Sequence, residues 1–398
     1  MCDKTSKALV LVLLLLPLLV ITNKRASAAI LEPMRDLKFN EDIGSDVLTK
    51  LEQETYNERL RERNMNQIMN IDEEMEDESE DDEFCVWHKC DNDFRALRGF
   101  KKYFDLSFLK KFMSHLNPFG MSRMNMNFYL FKQDFPDSGR ELRISDTRED
   151  ILYAGFNPRQ PTRIIIHGWI SQSRGSFNRD VKNAYLKRGD FNVIVVDWSA
   201  SATNVNYFAV VKMIEGFGAQ LARFTQHLKR SVNADYDHMY LIGHSLGAQI
   251  KPARYNTIFA LDPAGPKFRH RSAEFRIDPA DAKYVESIQT SGNLGFLEPT
   301  GNATFYPNYG FYQRKCYCVG CSHIRAYKMF AESITTNVGF WGTRCKRREP
   351  EWECNEEAPA SDLYRMGGEP AQKKSGIFYV KTSTSSPFAL GSNWKDGE

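Results

Sequence analysis

MYLIGHSLGAQI, residues Met239–Ile250, runs from strand-forming apolar residues straight into Gly243-His244-Ser245-Leu246-Gly247. This is G-x-S-x-G at the carboxyl end of a predicted strand. The glycines matter because so tight a turn leaves no room for side chains at those positions. The turn lifts the Ser245 hydroxyl clear of the sheet, where it can meet both a base and a substrate carbonyl. The pattern alone is weak, and its weight depends on what surrounds it.

The surroundings repeat one texture. Arg163-Ile164-Ile165-Ile166 ends at His167-Gly168, Phe191–Val196 (FNVIVV) ends at Asp197, and Thr257–Leu261 (TIFAL) ends at Asp262. Between them Tyr207–Lys229 spaces Val210, Val211, Ile214, Leu221 and Phe224 as a helix would. Continuous apolar strands alternating with helix predict an α/β domain whose mostly parallel central sheet is covered on both faces.

A serine nucleophile needs a base and an orienting acid. Asp262 sits in Leu261-Asp262-Pro263-Ala264-Gly265-Pro266 directly after a strand. Taken alone, an Asp before Pro reads more readily as a turn initiator. Of the eight histidines only His270 and His323 follow it. His270 lies in the basic run KFRHR and reads as solvated surface, whereas His323 lies in Cys321-Ser322-His323. The expected roles are Ser245 as nucleophile, His323 as base and Asp262 as its orienter. The oxyanion donors are the Leu246 N–H and, from the loop after Ile166, the Trp169 N–H.

With these residues in hand, RIIIHGWI, VIVVDWS, LIGHSLGAQI, LDPAGPKF and GCSHIRAYKMF, in that order, resemble the pancreatic-lipase family of secreted α/β-hydrolases. The closing MGGEPAQKKSGIFYVKT is similar to the end of its insect members. The likeness covers about 270 residues, Asn127–Glu398. It implies an α/β-hydrolase fold and a secreted carboxylic-ester hydrolase acting on lipids at membrane or droplet surfaces, with no cofactor. In this family a lid closed by a disulfide precedes the catalytic His, and here it is no longer than Tyr317–Gly320. The preceding loop, Ser291–Asn308, is also short. Short loops resemble the phospholipases A1 of the family. Only 75 residues follow His323, too few for the C-terminal β-sandwich domain of pancreatic lipase, so no colipase partnership is expected. Glu274, Arg276, Asp278 and Asp281 resemble the calcium loop of some relatives, with Glu274 shifted by one position, which leaves Asp278 and Asp281 as weak metal candidates. Gln249 stands where many relatives have His.

One departure bears on folding. Pro252 limits any helix after the nucleophile to Leu246–Ile250, and only eleven residues separate Ser245 from Thr257. A parallel crossover needs about 10–12. The competing reading is therefore a catalytically weak or inactive lipid-binding, yolk-like relative.

The N-terminus indicates the compartment. Lys4 and Lys7 precede fourteen apolar residues, Ala8–Ile21, and Ala26-Ser27-Ala28 follow. This reads as a signal peptide, residues 1–28, because the run would span only about 21 Å of helix against a ~30 Å hydrocarbon core. Residues 29–83 form an acidic, disordered extension, with ten carboxylates in the twelve residues Asp72–Glu83. Residues 84–126 are a basic, aromatic lead-in, and 127–398 the catalytic domain. The formal charge of +2 excludes an evident nucleic-acid binder. It conceals 10 basic and 20 acidic side chains in 1–83 against 43 and 31 beyond. The catalytic body is thus suited to anionic lipid surfaces.

Export favours disulfides. Cys85–Cys90 and Cys345–Cys354 are the natural local pairs, and Cys321 takes either Cys316 or Cys318. The alternative, a structural zinc on Cys316, Cys318, Cys321 and His323, would consume the proposed base. Asn302-Ala303-Thr304 is a glycosylation sequon expected on a loop.

Overall fold

The computed structural model describes residues 124–251, 255–316, 319–348, 351–355 and 358–392. The expected signal peptide, acidic extension and lead-in up to residue 123, with Cys85, Cys90, Pro252 and Cys318, lie outside them.

The elements, in chain order, are β1 (Asn127–Lys132), β2 (Phe135–Leu142), α1 (Arg148–Tyr153), β3 (Thr162–Ile166), α2 (Ser176–Arg188), β4 (Asn192–Asp197), α3 (Ser199–Ala202), α4 (Tyr207–Val211) and α5 (Ile214–Val232). There follow β5 (Met239–His244), β6 (Tyr255–Leu261), β7 (Ala282–Ile288), β8 (Ala303–Pro307), α6 (Val319–Thr335), β9 (Phe340–Arg348), β10 (Glu351–Cys354), β11 (Leu363–Met366) and β12 (Gly376–Val380). The strands form one sheet in the order β10-β9-β12-β8-β7-β6-β5-β3-β4-β1-β2, with β11 on β9. From β4 through β3, β5, β6, β7 and β8 to β12 every pairing is parallel. Antiparallel β1 and β2 extend one edge, and β9 pairs antiparallel with β12 and β11 at the other.

The sequence pattern explains the layering. Alternate residues of a strand point to opposite faces. Ile165, Val193, Val195, Ile242 and Phe259 form one core with Phe177, Val181 and Tyr185 of α2 and Tyr327, Phe330 and Ile334 of α6. Phe128 sits opposite Val196, on the other face, and stacks on Phe224 of α5 with ring centroids 3.7 Å apart. Truncating a fully buried ring such as Phe330 to Ala would cost about 3–5 kcal/mol.

Two expectations are corrected in detail. The helical run Tyr207–Lys229 is two helices, α4 capped by the Asn206 side chain and α5 beginning at Ile214. The stretch Ser291–Asn308 is not one loop, because residues 303–307 pair as β8 with β7 and β12. Its five residues, ATFYP, end on a proline and were too short to stand out by alternation.

Candidate active site

The short crossover is accommodated. After β5 the chain makes a single 3-10 turn, Ser245–Gln249, and β6 still pairs parallel with β5, from Tyr240 opposite Thr257 to His244 opposite Leu261. Gly218 of α5 lets the backbone at Lys251 pass close, for a Cβ there would lie 2.9 Å from Lys251 O. The two elbow glycines are sterically required as the sequence implies. A Cβ on Gly243 would lie 2.5 Å from Ala248 Cα, and one on Gly247 would run into the carbonyls of Ile166 and His167. Ser245 itself has φ 55°, the left-handed strain of an elbow nucleophile.

The proposed groups converge at the carboxyl ends of the parallel strands. Ser245 follows β5, Asp262 follows β6 and His167-Gly168-Trp169 follow β3, the place where open α/β sheets bind ligands. His323 lies in the first turns of α6, on a helix rather than a loop. Its Nδ1 is 2.5 Å from Asp262 Oδ2. An ionised carboxylate only accepts, so Nδ1 carries the proton and Nε2 is left as the basic nitrogen. Asp262 is wholly buried and fully engaged. Oδ1 accepts from the Thr290 and Ser291 N–H groups at 2.8 and 3.0 Å, and Oδ2 also accepts from the Ser291 hydroxyl.

Ser245 and His323 are neighbours through His244. The His244 Nε2–H donates to His323 O at 3.1 Å, and the two rings lie 4.5 Å apart. Among the described residues no hydrogen bond joins Ser245 Oγ to His323. Ser245 O accepts from Ala264 N at 3.1 Å, which fastens the elbow to the loop carrying the acid. Burial, and next the neighbouring His323, hold the His244 imidazole well below its usual pKa, so it is neutral.

The loop expected to supply an oxyanion donor is tied to its neighbours. Trp169 Nε1 donates to Asn204 O at 2.7 Å, Trp198 Nε1 donates to His167 O at 2.8 Å, and Ile170 takes φ 52°. Gly168 lies against Ser245. Leu246 is the second residue of the 3-10 turn, where a backbone N–H has no acceptor within the helix.

His244, Thr290, Ser291 and Gln249 take part in this architecture without having been singled out for it. Gln249 Nε2 donates to Ala264 O at 2.9 Å, and Ile277 N donates to Gln249 Oε1 at 2.8 Å. His270 is exposed, as its basic surroundings imply.

Cys316 pairs with Cys321 and Cys345 with Cys354. The first bridge consumes two of the four zinc candidates while Asp262 occupies His323 Nδ1, so the residues present do not fit a zinc site. Of the four residues the bridge encloses, Val319 and Gly320 already begin α6. Asn302 precedes β8, and its Oδ1 accepts from Val285 N at 2.7 Å. Asp278 caps the 3-10 turn Pro279–Asp281, whereas Asp281 receives the Lys251 ammonium.

The Lipase family model matches residues 108–388. The chain is 33% identical over 271 residues to "Probable phospholipase A1 magnifin" of Vespa magnifica, covering 61% of this chain and 80% of that protein. It is 29% identical over 314 residues to "Pancreatic lipase-related protein 2" of Bos taurus, covering 69% and 66%. It is 28% identical over 279 residues to "Inactive pancreatic lipase-related protein 1" of Mus musculus, covering 62% and 58%. Its parallel sheet with a strained Ser245 elbow is an α/β-hydrolase fold, and with most of its length matched the chain belongs to the Lipase family, that of the pancreatic lipases.

Proposed function

We propose that the protein is a secreted lipid hydrolase that cleaves carboxylic esters through an acyl-enzyme, with phospholipase A1 as well as glyceride lipase activity. The observation that carries this reading is the Asp262–His323 contact of 2.5 Å beside a serine held at positive φ. Ser245 Oγ attacks the ester carbonyl as His323 Nε2 takes its proton. Asp262 keeps the other proton on Nδ1 and stabilises the imidazolium. The Leu246 and Trp169 N–H groups receive the oxyanion. The imidazolium then protonates the departing alkoxide, leaving Ser245 acylated, and a water activated by the same nitrogen releases the fatty acid.

The four-residue interval between Cys316 and Cys321 favours polar head groups. So short an interval is the feature that the sequence shares with the phospholipases A1 of the family, and it supports an open site. The two disulfides among the described residues, and the signal-like N-terminus, favour the extracellular space.

The similarity to "Inactive pancreatic lipase-related protein 1", with only eleven residues between Ser245 and Thr257, supports a second reading, a weakly active or inactive lipid-binding relative. One experiment separates the two. Residues 29–398 and their Ser245→Ala variant, produced in a secretory host, are assayed on phosphatidylcholine vesicles and triacylglycerol emulsions and labelled with a fluorophosphonate. Hydrolysis and labelling that depend on Ser245 are expected. A folded wild-type chain no more active than the variant on either lipid would leave the binding reading in place.

A further inference from the structure

Lys251 ends the stub that follows the elbow, and its side chain reaches into the loop formed by residues 273–281. The ammonium meets three oxygens at once: Ala273 O at 3.0 Å, Arg276 O at 2.7 Å and Asp281 Oδ1 at 3.0 Å. An ammonium has three N–H donors and no acceptor, so its hydrogen-bonding capacity is filled.

The cage is built by the loop itself. Asp281 Oδ2 accepts from Asp278 N at 2.8 Å, Asp278 Oδ1 accepts from Ala280 N at 3.0 Å, and Gln249 holds Ile277 N from behind. Lys251 and Asp281 are only 19% and 18% exposed, so the pair lies largely out of water. Burial raises the Asp281 carboxyl above its ordinary pKa, with Lys251 acting against that rise.

Two carbonyls and a carboxylate are also hard oxygen donors of the kind a Ca2+ takes at about 2.3–2.6 Å. This is the loop whose Asp278 and Asp281 are the weak calcium candidates. A metal bound to those three oxygens would occupy the space where Lys251 Nζ lies, and two cations cannot share it. Glu274, the remaining carboxylate candidate, is exposed. The loop does not fit a divalent ion while Lys251 is in place.

We propose that Lys251 is the resident cation of this loop: a tethered ammonium holds residues 273–281 against the segment behind the nucleophile, and the native chain takes no divalent metal there. The arrangement suits a chain with too few residues after Ser245 to build a covering helix. One long side chain supplies the tie instead. The inference stands apart from the catalytic reading, because its test reads stability and metal binding rather than turnover.

The test is thermal unfolding of the full chain in EDTA and in millimolar CaCl2, with terbium luminescence as a direct probe. Wild type should melt at the same temperature in both and give no terbium emission that Asp281→Asn removes. Lys251→Met, which keeps the stem and loses the charge, should melt about 3–8 °C lower. Calcium should restore much of that loss, and Asp281→Asn in the same chain should abolish the restoration. Calcium stabilisation of wild type that depends on Asp281 would overturn the proposal. So would a Lys251→Met chain of unchanged stability, or one whose loss calcium does not touch. If Lys251→Met does not fold, the wild-type comparison decides alone.

Discussion

The His244 imidazole, one residue before the nucleophile, donates from Nε2 to the backbone carbonyl of His323 at 3.1 Å. In the proposed triad, the residue preceding Ser245 thereby ties down His323. Losing this tie frees the start of α6 relative to the elbow, and displacements near 1 Å cost up to roughly 100-fold in rate. His244→Ala should lower kcat by about 10–100-fold with little change in KM. His244→Gln, which keeps an amide donor, should recover part of it. Steady-state kinetics on a soluble ester check this; a fall confined to KM would count against a positioning role.

The same side chain makes stability sensitive to acid. His244 is enclosed by the rings of Phe177, Tyr327 and His323. Burial first, and the neighbouring His323 second, depress its pKa in the folded chain, whereas the unfolded chain takes up a proton near pH 6.5. The unfolded state therefore binds more protons below that pH. Stability is complete above about pH 6.5 and falls as pH drops, by at most about 1.4 kcal/mol per pH unit. Urea midpoints measured from about pH 7.5 to about 5.5 should fall more steeply for wild type than for His244→Gln. Parallel slopes would refute the assignment.

Asp262 is held by four donors, the Thr290 and Ser291 N–H groups, the Ser291 hydroxyl and His323 Nδ1. Asp262→Asn keeps the shape but presents an amide to Nδ1, favouring the wrong tautomer, and should reduce kcat by roughly 10^3–10^4-fold. Ser291→Ala removes one charge-assisted bond and should reduce kcat about 10-fold. Because both act through one carboxylate, the double variant should be no slower than Asp262→Asn alone. An additive loss would place Ser291 in some other role.

The residues legible in the sequence were those whose meaning is local. The strand-to-turn passage at Gly243-His244-Ser245 declares itself within a few positions, whereas Asp262, which alone reads as a turn initiator, gains its meaning from the order Ser, Asp, His. The contacts that assemble the site were not legible, because they join segments far apart in the chain. Ser291 reaches Asp262 across 29 positions and His244 reaches His323 across 79. Nothing in Gln289-Thr290-Ser291 marks it as a carboxylate cradle. The strand β8 was hidden by its brevity, and Lys251 reads as an ordinary surface lysine until the loop 273–281 folds around its ammonium.

Gln249 illustrates how a substitution that looks neutral can carry weight. It joins Ala264 O to Ile277 N inside the protein and is 2% exposed. Gln249→Ala would strand a buried acceptor and a buried donor, each costing about 1–3 kcal/mol. A loss of roughly 2–5 kcal/mol is expected, read as a lower denaturant midpoint at unchanged m-value. Stability within experimental error of wild type would show that both backbone groups find other partners.

Gly168 tests the oxyanion loop with the least change to the chain. Its φ is not in the left-handed region, so alanine meets no backbone strain there, unlike at the glycines with positive φ. What alanine does meet is the nucleophile. Its Cβ would lie 2.8 Å from Ser245 Cβ and 3.1 Å from His244 O, atoms fixed by the elbow and by the β5 ladder. The loop bearing Trp169 must then move away from Ser245, opening the gap in which the oxyanion would sit. Gly168→Ala should therefore lower kcat by about 100-fold or more, because a donor displaced by a few tenths of an ångström no longer meets the charge where it develops. Fluorophosphonate labelling of Ser245 should slow in parallel, since that adduct needs the same donors, while the melting temperature changes little. Full turnover in Gly168→Ala would mean that the oxyanion is held elsewhere than between Trp169 and Leu246.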